Sequence, residues 1–264
     1  MPLPPTLPAG STLKKPLRTV FCIFILSLCW ADTEPLGTIT GFVKFPGETP
    51  ARSMFANPSD HDCPHGIPQT HLLVRQDTLG LENALIVLER YDRRVMPTRL
   101  QAQLTTEGCQ LVPRIQWLPL GTSLAIINKD GAMHHLYATL GDNSLFEADL
   151  KPDSPPLRRP LVVPGLYKIN CGRHLWERAW IYVSPHDSVT VTDSSGEFTM
   201  KNVPAGHYRV RVWHEGWLAK GKDRDGRLEF EPMQQIEEIN VRENEETEVL
   251  FDDLKPTFEA SSAD

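Results

Sequence analysis

Residues 168–183 read K-I-N-C-G-R-H-L-W-E-R-A-W-I-Y-V, two strand-like runs joined by a short polar loop. The first apolar run ends at Cys171, and the loop that follows carries His174 and Glu177. The second run begins at Ala179. Because a thiolate and an imidazole three residues apart share a short loop between strands, both can reach one metal ion. The rest of the chain is therefore interpreted as a scaffold for this loop and for a more distant ligand.

A second stretch that carries imidazoles lies upstream, at residues 128–137, and reads N-K-D-G-A-M-H-H-L-Y. It follows an apolar run at 123–127 that is typical of a buried strand. The stretch therefore offers His134 or His135 as a distant metal ligand at the end of another strand.

Composition favours an all-β chain. The 264 residues leave room for one large β domain or two smaller ones. The 23 prolines and 17 glycines suit many short strands and turns, and no segment shows sustained helical periodicity. The net charge of -7 argues against nucleic-acid binding, which needs clustered Lys and Arg.

The N-terminus is typical of an export signal. Lys14, Lys15 and Arg18 precede an apolar run at 19–29, which is too short for a comfortable membrane span. Cleavage after Ala31 would leave a periplasmic or secreted mature chain without a membrane span. An uncleaved N-terminal anchor is the alternative.

The cysteines divide into two sets. Cys22 and Cys29 lie in the signal, which leaves Cys63, Cys109 and Cys171 in the mature chain. In an oxidising compartment two of these three are expected to pair. Cys63 and Cys109 are predicted to form a disulfide, because their segments show weaker metal-site features than that of Cys171. Three free or otherwise paired thiols remain the alternative.

The loop at residues 46–69 contains a second group of possible ligands, with His61, Cys63 and His65 in the sequence D-H-D-C-P-H. A metal site here would need a matching distant pair of ligands, and none is evident. The pattern therefore favours a disulfide-tethered loop with exposed histidines.

Elsewhere, strand patterns alternate with turns. Strands are predicted at 37–45 and 83–89, and several short alternating strands follow from residue 188. Residues 137–160, which are rich in proline, are predicted to be mostly loop, and 219–227 are predicted to be a charged loop.

Residues 100–183 resemble the cupredoxins, the group that contains plastocyanin and amicyanin. The stretch 109–130 is similar to the early strands of that family, with their proline, their Gly-Thr turn and the Asn at the strand end. His134 falls on the family's upstream histidine ligand, and Cys171 with His174 matches its Cys-x-x-His ligand loop. The resemblance implies a Greek-key sandwich that holds one copper ion and transfers electrons.

Two positions depart from the family pattern. His135 stands where the family usually has Asn, which leaves it as an alternative to His134. Glu177 stands where amicyanin has its axial Met. Because a carboxylate is a harder donor than a thioether, Glu177 as ligand would favour Cu(II). Two alternatives follow for Glu177. It is the axial ligand of the copper ion, or it is solvated and the axial position is left open or is covered by backbone.

Residues 188–251, together with 37–89, resemble the carboxypeptidase regulatory-like, transthyretin-like β-sandwich. The resemblance rests on T-D-S-S-G-E-F-T-M-K-N-V-P-A-G-H-Y-R-V-R-V and on the opening strands. It implies that the copper domain is inserted in, or packed with, this sandwich, as in exported proteins of the methylamine-utilisation type. The segment Trp213–Glu215 is expected to combine core packing with exposed polar groups, or else to form an interface or a metal feature.

The predicted organisation therefore has five segments: a signal peptide at 1–31, the first regulatory-like strands at 37–95, a cupredoxin-like copper domain at 96–185, the remaining regulatory-like strands at 186–254 and a flexible tail at 255–264. The expected function is that of an exported mononuclear copper protein that carries electrons, with His134, Cys171 and His174 as its ligands and Glu177 as the candidate axial ligand. Its acidic surface would suit a basic redox partner such as a cytochrome or a dehydrogenase. Because the sequence supports no substrate pocket, it is not expected to be an enzyme. The alternative is a metal-free adhesion or carbohydrate-binding module with a vestigial copper domain.

Overall fold

The computed structural model describes residues 35–48, 54–55, 63–64, 66–89, 91 and 101–257. The described residues from 35 onward form one compact unit. The predicted signal peptide, the two histidines of the 46–69 loop that flank its cysteine, and the last seven residues of the predicted tail lie outside these ranges. Within the described ranges, no helix is both long enough and apolar enough to cross a membrane.

All regular elements among the described residues are strands, which confirms the predicted all-β fold. In chain order they are β1 (Leu36–Val43), β2 (Met54–Phe55), β3 (Ile67–Pro68), β4 (Leu85–Glu89), β5 (Gln101–Thr106), β6 (Leu111–Val112), β7 (Ile115–Pro119), β8 (Ser123–Asn128), β9 (His134–Leu140), β10 (Asn143–Leu150), β11 (Leu157–Pro160), β12 (Gly165–Cys171), β13 (Arg178–Ser184), β14 (Val189–Val191), β15 (Glu197–Pro204), β16 (Gly206–Lys222), β17 (Leu228–Val241), β18 (Glu246–Phe251) and β19 (Lys255–Pro256).

Strands β5 to β13 form one sandwich, called here the inserted sandwich. One sheet has the order β10-β9-β12-β13-β7 and the other β11-β8-β5-β6, so the chain passes repeatedly from sheet to sheet. Side chains alternate inward and outward along the strands, and the inward ones fill a core between the sheets. Its fully buried members include Leu104, Leu124, Ile126, Leu136 and Ile169.

A second sandwich, called here the outer sandwich, combines strands from before and after the inserted one. Its sheets have the orders β15-β1-β18 and β14-β4-β16-β17-β19. Its core includes Ile39, Ile86, Val210, Val212 and Phe251. Because β1 and β4 precede β5, and β14 follows β13, the inserted sandwich interrupts the chain of the outer one.

Two segments predicted to be loops contain strands instead. Most of residues 137–160 belongs to β9, β10 and β11, and only the turn at 141–142 and the proline-containing stretch between β10 and β11 lie outside strands. β10 is an edge strand with mostly exposed or half-buried side chains, so its sequence lacks a clear alternation. The second segment is 219–227. Its first four residues form the exposed, charged end of β16, which runs to Lys222, and the remaining residues form the turn into β17.

An aromatic contact joins the two sandwiches. The rings of Trp180 on β13 and Trp213 on β16 meet edge to face, with their centroids 5.1 Å apart. Apolar side chains from both sandwiches surround them, among them Leu85, Ile115 and Val189. Trp180 therefore packs at the joint between the sandwiches, and Trp213 forms an interface, which was one of the alternatives for its segment.

The polar residues that follow Trp213 are buried, so the expectation that they are exposed was wrong. His214 and Glu215 are only 1% and 6% exposed. A β-bulge at this point turns consecutive side chains inward. Gly216 makes the bulge possible, since its φ is +95° and a Cβ there would lie 1.8 Å from the Glu231 carbonyl oxygen.

Glu215 forms a bidentate ion pair with Arg114, which precedes β7 in the inserted sandwich. The two nitrogen–oxygen distances are 2.7 and 2.8 Å. We expect Glu215→Gln to lower the free energy of unfolding by about 3–5 kcal/mol, because it leaves a buried guanidinium without its counter-ion. Denaturant unfolding measures this loss. The same change at the exposed pair, Glu107→Gln opposite Lys129, should cost about 1 kcal/mol or less. Equal losses in the two variants would contradict the prediction.

One buried histidine, His214, and one partly buried histidine, His71, make stability depend on pH. Burial lowers the pKa of both His214 and His71 to about 4, so both are neutral in the native state at pH values where the unfolded chain binds protons. The free energy of unfolding should therefore fall as pH drops from about 6.5 towards 4, by up to about 1.4 kcal/mol per pH unit for each histidine. His214→Asn should flatten this dependence, whereas His207→Asn, at an exposed position, should not. Parallel pH profiles of His214→Asn and the unmodified protein would refute the assignment.

Candidate metal centre

Paired strands bring the two distant ligand segments together. β9 and β12 are antiparallel neighbours, and Cys171 at the end of β12 lies opposite Leu136 near the start of β9. The Gly172 amide then donates to the His135 carbonyl at 2.7 Å. His134 is the first residue of β9, not the end of the preceding strand, and its side chain is buried beside Cys171.

The loop from β12 to β13 supplies the other side chains. His174 and Glu177 are both 1% exposed, and the Glu177 amide donates to the His174 carbonyl at 3.0 Å. This tight loop turns both side chains inward, towards Cys171. The alternative in which Glu177 is solvated therefore does not describe this structure.

The four predicted metal-site side chains converge on one point. His134, Cys171, His174 and Glu177 each offer a ligand atom, and these atoms all lie within 4.8 Å of one another. The Nδ1 atoms of the two imidazoles are 3.2 Å apart, and His174 Nδ1 is 3.6 Å from the Cys171 sulfur. One Glu177 oxygen lies 3.0 Å from His134 Nδ1, and the other lies 3.1 Å from His174 Nδ1.

The outer nitrogen of each imidazole meets a different neighbour. His134 Nε2 lies 3.1 Å from an Asp130 carboxylate oxygen, and His174 Nε2 lies 3.5 Å from the Cys63 sulfur. Carboxylates therefore lie at both nitrogens of His134, with Asp130 at Nε2 and Glu177 at Nδ1, so Asp130 can keep the Nε2 proton in place when Nδ1 binds a metal. The Cys109 amide in turn donates to Asp130 at 3.2 Å, which holds the carboxylate in place.

Asp130 is the member of this site that sequence reasoning missed. It lies in the β8–β9 turn, four residues before His134, and Asn128 accepts a hydrogen bond from its amide. The signal was present in N-K-D-G-A-M-H, since an acidic residue just before a ligand histidine can orient its ring. Only the turn geometry shows that it does so.

The charges within the cluster favour a cation at its centre. Burial raises the pKa of the Cys171 thiol, but the imidazoles of His134 and His174 outweigh this effect and lower it to about 7. Burial also opposes ionisation of Glu177, yet the same imidazoles hold the pKa of its carboxyl below its usual range. Burial lowers the pKa of His134, but the neighbouring Asp130 and Glu177 carboxylates raise it well above its usual range.

These donors fit a copper ion. One Glu177 oxygen, Oε1, is buried, and its 3.1 Å contact with His174 Nδ1 is not a well-aligned hydrogen bond. Two Nδ1 atoms, a thiol sulfur and a carboxylate face one another, and their lone pairs repel unless a proton or a metal ion lies between them. One thiolate, two imidazoles and a further weak donor form the set that suits mononuclear copper.

A disulfide covers the outer side of His174. Cys63 and Cys109 are joined by a bond of 1.98 Å, which leaves Cys171 as the one free thiol among the described cysteines. The Trp176 indole donates to the Cys109 carbonyl at 2.8 Å, and its ring centroid lies 5.3 Å from that of His174. Trp176 thus shields the cluster. Two further groups that lie close enough to hold a metal include disulfide sulfurs, which are not thiolates and are poor ligands.

His135 lies outside the cluster. Its ring is about one-third exposed, and its nitrogens lie 2.7 Å from Asp149 and 2.8 Å from Glu147 on the neighbouring strand β10. Of the two adjacent histidines, only His134 belongs to the buried group.

Comparisons with known proteins give partial likenesses. Residues 187–227 match the sequence model of a family described as polysaccharide lyase family 4, domain II. No curated protein matches the chain. The likeness of the outer sandwich to the carboxypeptidase regulatory-like module stays an expectation from sequence.

Among solved structures, the chain is similar to a novel purple cupredoxin from Nitrosopumilus maritimus, with 21% identity, a TM-score of 0.28, and coverage of 31% of this chain and 99% of that one. It is similar to plastocyanin from Dryopteris crassirhizoma, with 14% identity, a TM-score of 0.28, and coverage of 31% and 100%. It is also similar to the copper-containing nitrite reductase of Thermus scotoductus SA-01, with 18% identity, a TM-score of 0.30, and coverage of 35% and 25%. With identities and TM-scores this low, none of these likenesses decides what the chain binds.

Proposed function

We propose that the protein is an exported mononuclear copper protein that carries electrons. The observation that carries the proposal is the buried convergence of His134, Cys171, His174 and Glu177. A bound copper ion would supply one-electron redox chemistry. The Cys171 thiolate and the imidazoles of His134 and His174 would hold the ion, and the Glu177 carboxylate would be a further oxygen donor.

The scaffold suits electron transfer better than catalysis. His134 and Cys171 are held by paired strands, and the Glu177 and Gly172 amides are hydrogen-bonded within the loop region, so the donors have little freedom to rearrange when the charge of the metal changes. All four donor residues are at most 1% exposed, which keeps substrates away from the metal. We therefore assign a carrier role and not an enzymatic one.

The proposed cellular location and redox partner are inferred from the N-terminal sequence and the net charge. The N-terminal basic and apolar segments favour a periplasmic or secreted protein. With a net charge of -7, the chain would be steered towards a basic redox partner such as a cytochrome or a dehydrogenase.

Metal analysis of the full chain, exported into the periplasm of an expression host, tests the proposal. We expect about one copper per chain after purification, retained during dialysis against excess zinc because copper binds N and S donors more tightly. His134→Ala should reduce the copper content, whereas His135→Ala should not. Copper-free protein that is retained on a glycan column would overturn the proposal in favour of a metal-free carbohydrate-binding module.

A further inference from the structure

One arginine of the outer sandwich reaches the backbone of the ligand loop. Arg227 is 2% exposed, and its Nη1 donates to the Leu175 carbonyl at 2.8 Å and to the Glu177 carbonyl at 3.1 Å. Its Nη2 donates to the Cys171 carbonyl at 2.6 Å. A single guanidinium therefore contacts three carbonyls along the seven-residue stretch that carries the thiolate, one imidazole and the carboxylate.

The β16–β17 turn fixes this arginine in place. The Arg227 amide donates to the Asp223 side chain at 2.8 Å, and the Gly226 amide donates to the Asp223 carbonyl at 3.0 Å. Gly226 has a φ of +85°, which the turn requires. The turn belongs to the outer sandwich, so this sandwich determines where the guanidinium lies.

The same guanidinium also touches the strand that carries the other imidazole. Nη2 lies 3.3 Å from the Tyr137 hydroxyl on β9, three residues after His134, and that hydroxyl donates to Asp225 at 3.1 Å. The guanidinium carbon lies 5.9 Å from the centre of the Tyr137 ring. Arg227 thus joins both ligand-bearing segments to one turn.

We propose that Arg227 is a positioning residue for the metal centre, through which the outer sandwich holds the ligand loop in its metal-binding conformation. This inference rests on the proposed copper function. The Glu177 carbonyl also accepts from the Cys171 amide, but at the long distance of 3.4 Å. Leaving these buried loop carbonyls without the guanidinium donors would favour a rearranged loop. Hydrogen bonds from a charged, planar guanidinium are strong and directional, and one arginine can serve several acceptors at once.

The positive charge has a second effect on the centre. Arg227 donates to the carbonyl of the thiolate residue itself, close to where the metal charge changes. A nearby cation disfavours the more positive oxidised ion, so Arg227 should raise the reduction potential of the centre.

Three variants of the full chain test the inference: Arg227→Gln, Arg227→Lys and the matched control Arg224→Gln. Arg224 lies on the same turn but is exposed. In copper-loaded protein we expect Arg227→Gln to lower the reduction potential and to change the visible and EPR spectra, while Arg224→Gln leaves both unchanged. Arg227→Lys keeps the charge but cannot span the carbonyls, so it should change the spectra with a smaller shift in potential. Equal spectra and potentials in all variants would overturn the inference.

A measurement without metal separates this inference from the copper proposal. Hydrogen exchange of metal-free protein should show the amides of residues 172–178 exchanging about tenfold or more faster in both Arg227 variants, and unchanged in Arg224→Gln. If Arg227→Gln does not fold, Arg227→Lys supplies the result. Unchanged loop exchange would overturn the positioning role even if copper binds. Failure of the unmodified protein to bind copper would instead sink the proposed function.

Discussion

Replacing Cys171 by serine is expected to abolish the intense visible absorption of the Cu(II)-loaded protein. The absorption arises from charge transfer between a thiolate and Cu(II), and Cys171 is the one described cysteine that is free to be a thiolate. Its pKa of about 7 makes the thiolate accessible near neutral pH. We also expect copper affinity to fall by more than about 100-fold, since even outer-sphere changes at metal sites cost 10–100-fold.

The matched control replaces the disulfide, as Cys63→Ser with Cys109→Ser. Losing the disulfide should lower stability by about 2–5 kcal/mol but leave the absorption in place. Optical titration with Cu(II) compares the two variants directly. An absorption that survives in Cys171→Ser, or that disappears only in the double variant, would show that the thiolate had been assigned to the wrong cysteine.

Replacing Glu177 by methionine is expected to raise the reduction potential of the bound copper by at least about 60 mV. For a one-electron couple this shift is a tenfold change in the preference for Cu(I) over Cu(II). The substitution removes a buried anion that favours Cu(II) and supplies a soft thioether that favours Cu(I). Voltammetry of the copper-loaded variant measures the shift.

Glu177→Gln separates charge from donor softness. It keeps an oxygen donor of the same shape but removes the negative charge, so its potential should lie between those of the unmodified protein and Glu177→Met. Identical potentials in all three proteins would show that the carboxylate does not contact the metal.

Three of the four side chains that converge at the candidate centre were predictable because they lie close together in the chain. Cys171, His174 and Glu177 are spaced three residues apart, at the end of β12 and in the loop to β13, and the fold buries all three. The distant ligand depended on resemblance, since only the strand pairing of β9 with β12 distinguishes His134 from His135.

The parts that sequence did not predict depend on contacts between distant segments. Asp130 meets His134 only through the β8–β9 turn, and the disulfide sulfur of Cys63 lies against His174 across more than a hundred residues. Arg227 was the last residue of a predicted charged loop, and its approach to the ligand loop requires both sandwiches to be in place. Edge strand β10 was missed because its side chains are mostly partly exposed, so the hydrophobic alternation that marks a strand is weak there.

The buried polar residues of β16 also depend on contacts with distant segments, which the sequence does not reveal. His214 and Glu215 belong to a strand whose alternation predicts that one of them faces outward, but the bulge at Gly216 buries both. Arg114, the partner that makes burial of Glu215 tolerable, comes from the other sandwich and is separated from it by about a hundred residues of chain.

The most direct test of the copper centre is the visible spectrum of the metal-free full chain during stepwise addition of Cu(II). We expect an intense absorption that grows linearly and stops growing at one equivalent of Cu(II), because the buried site has one thiolate. A titration that yields no absorption, together with no copper retained after gel filtration, would contradict the proposed copper centre.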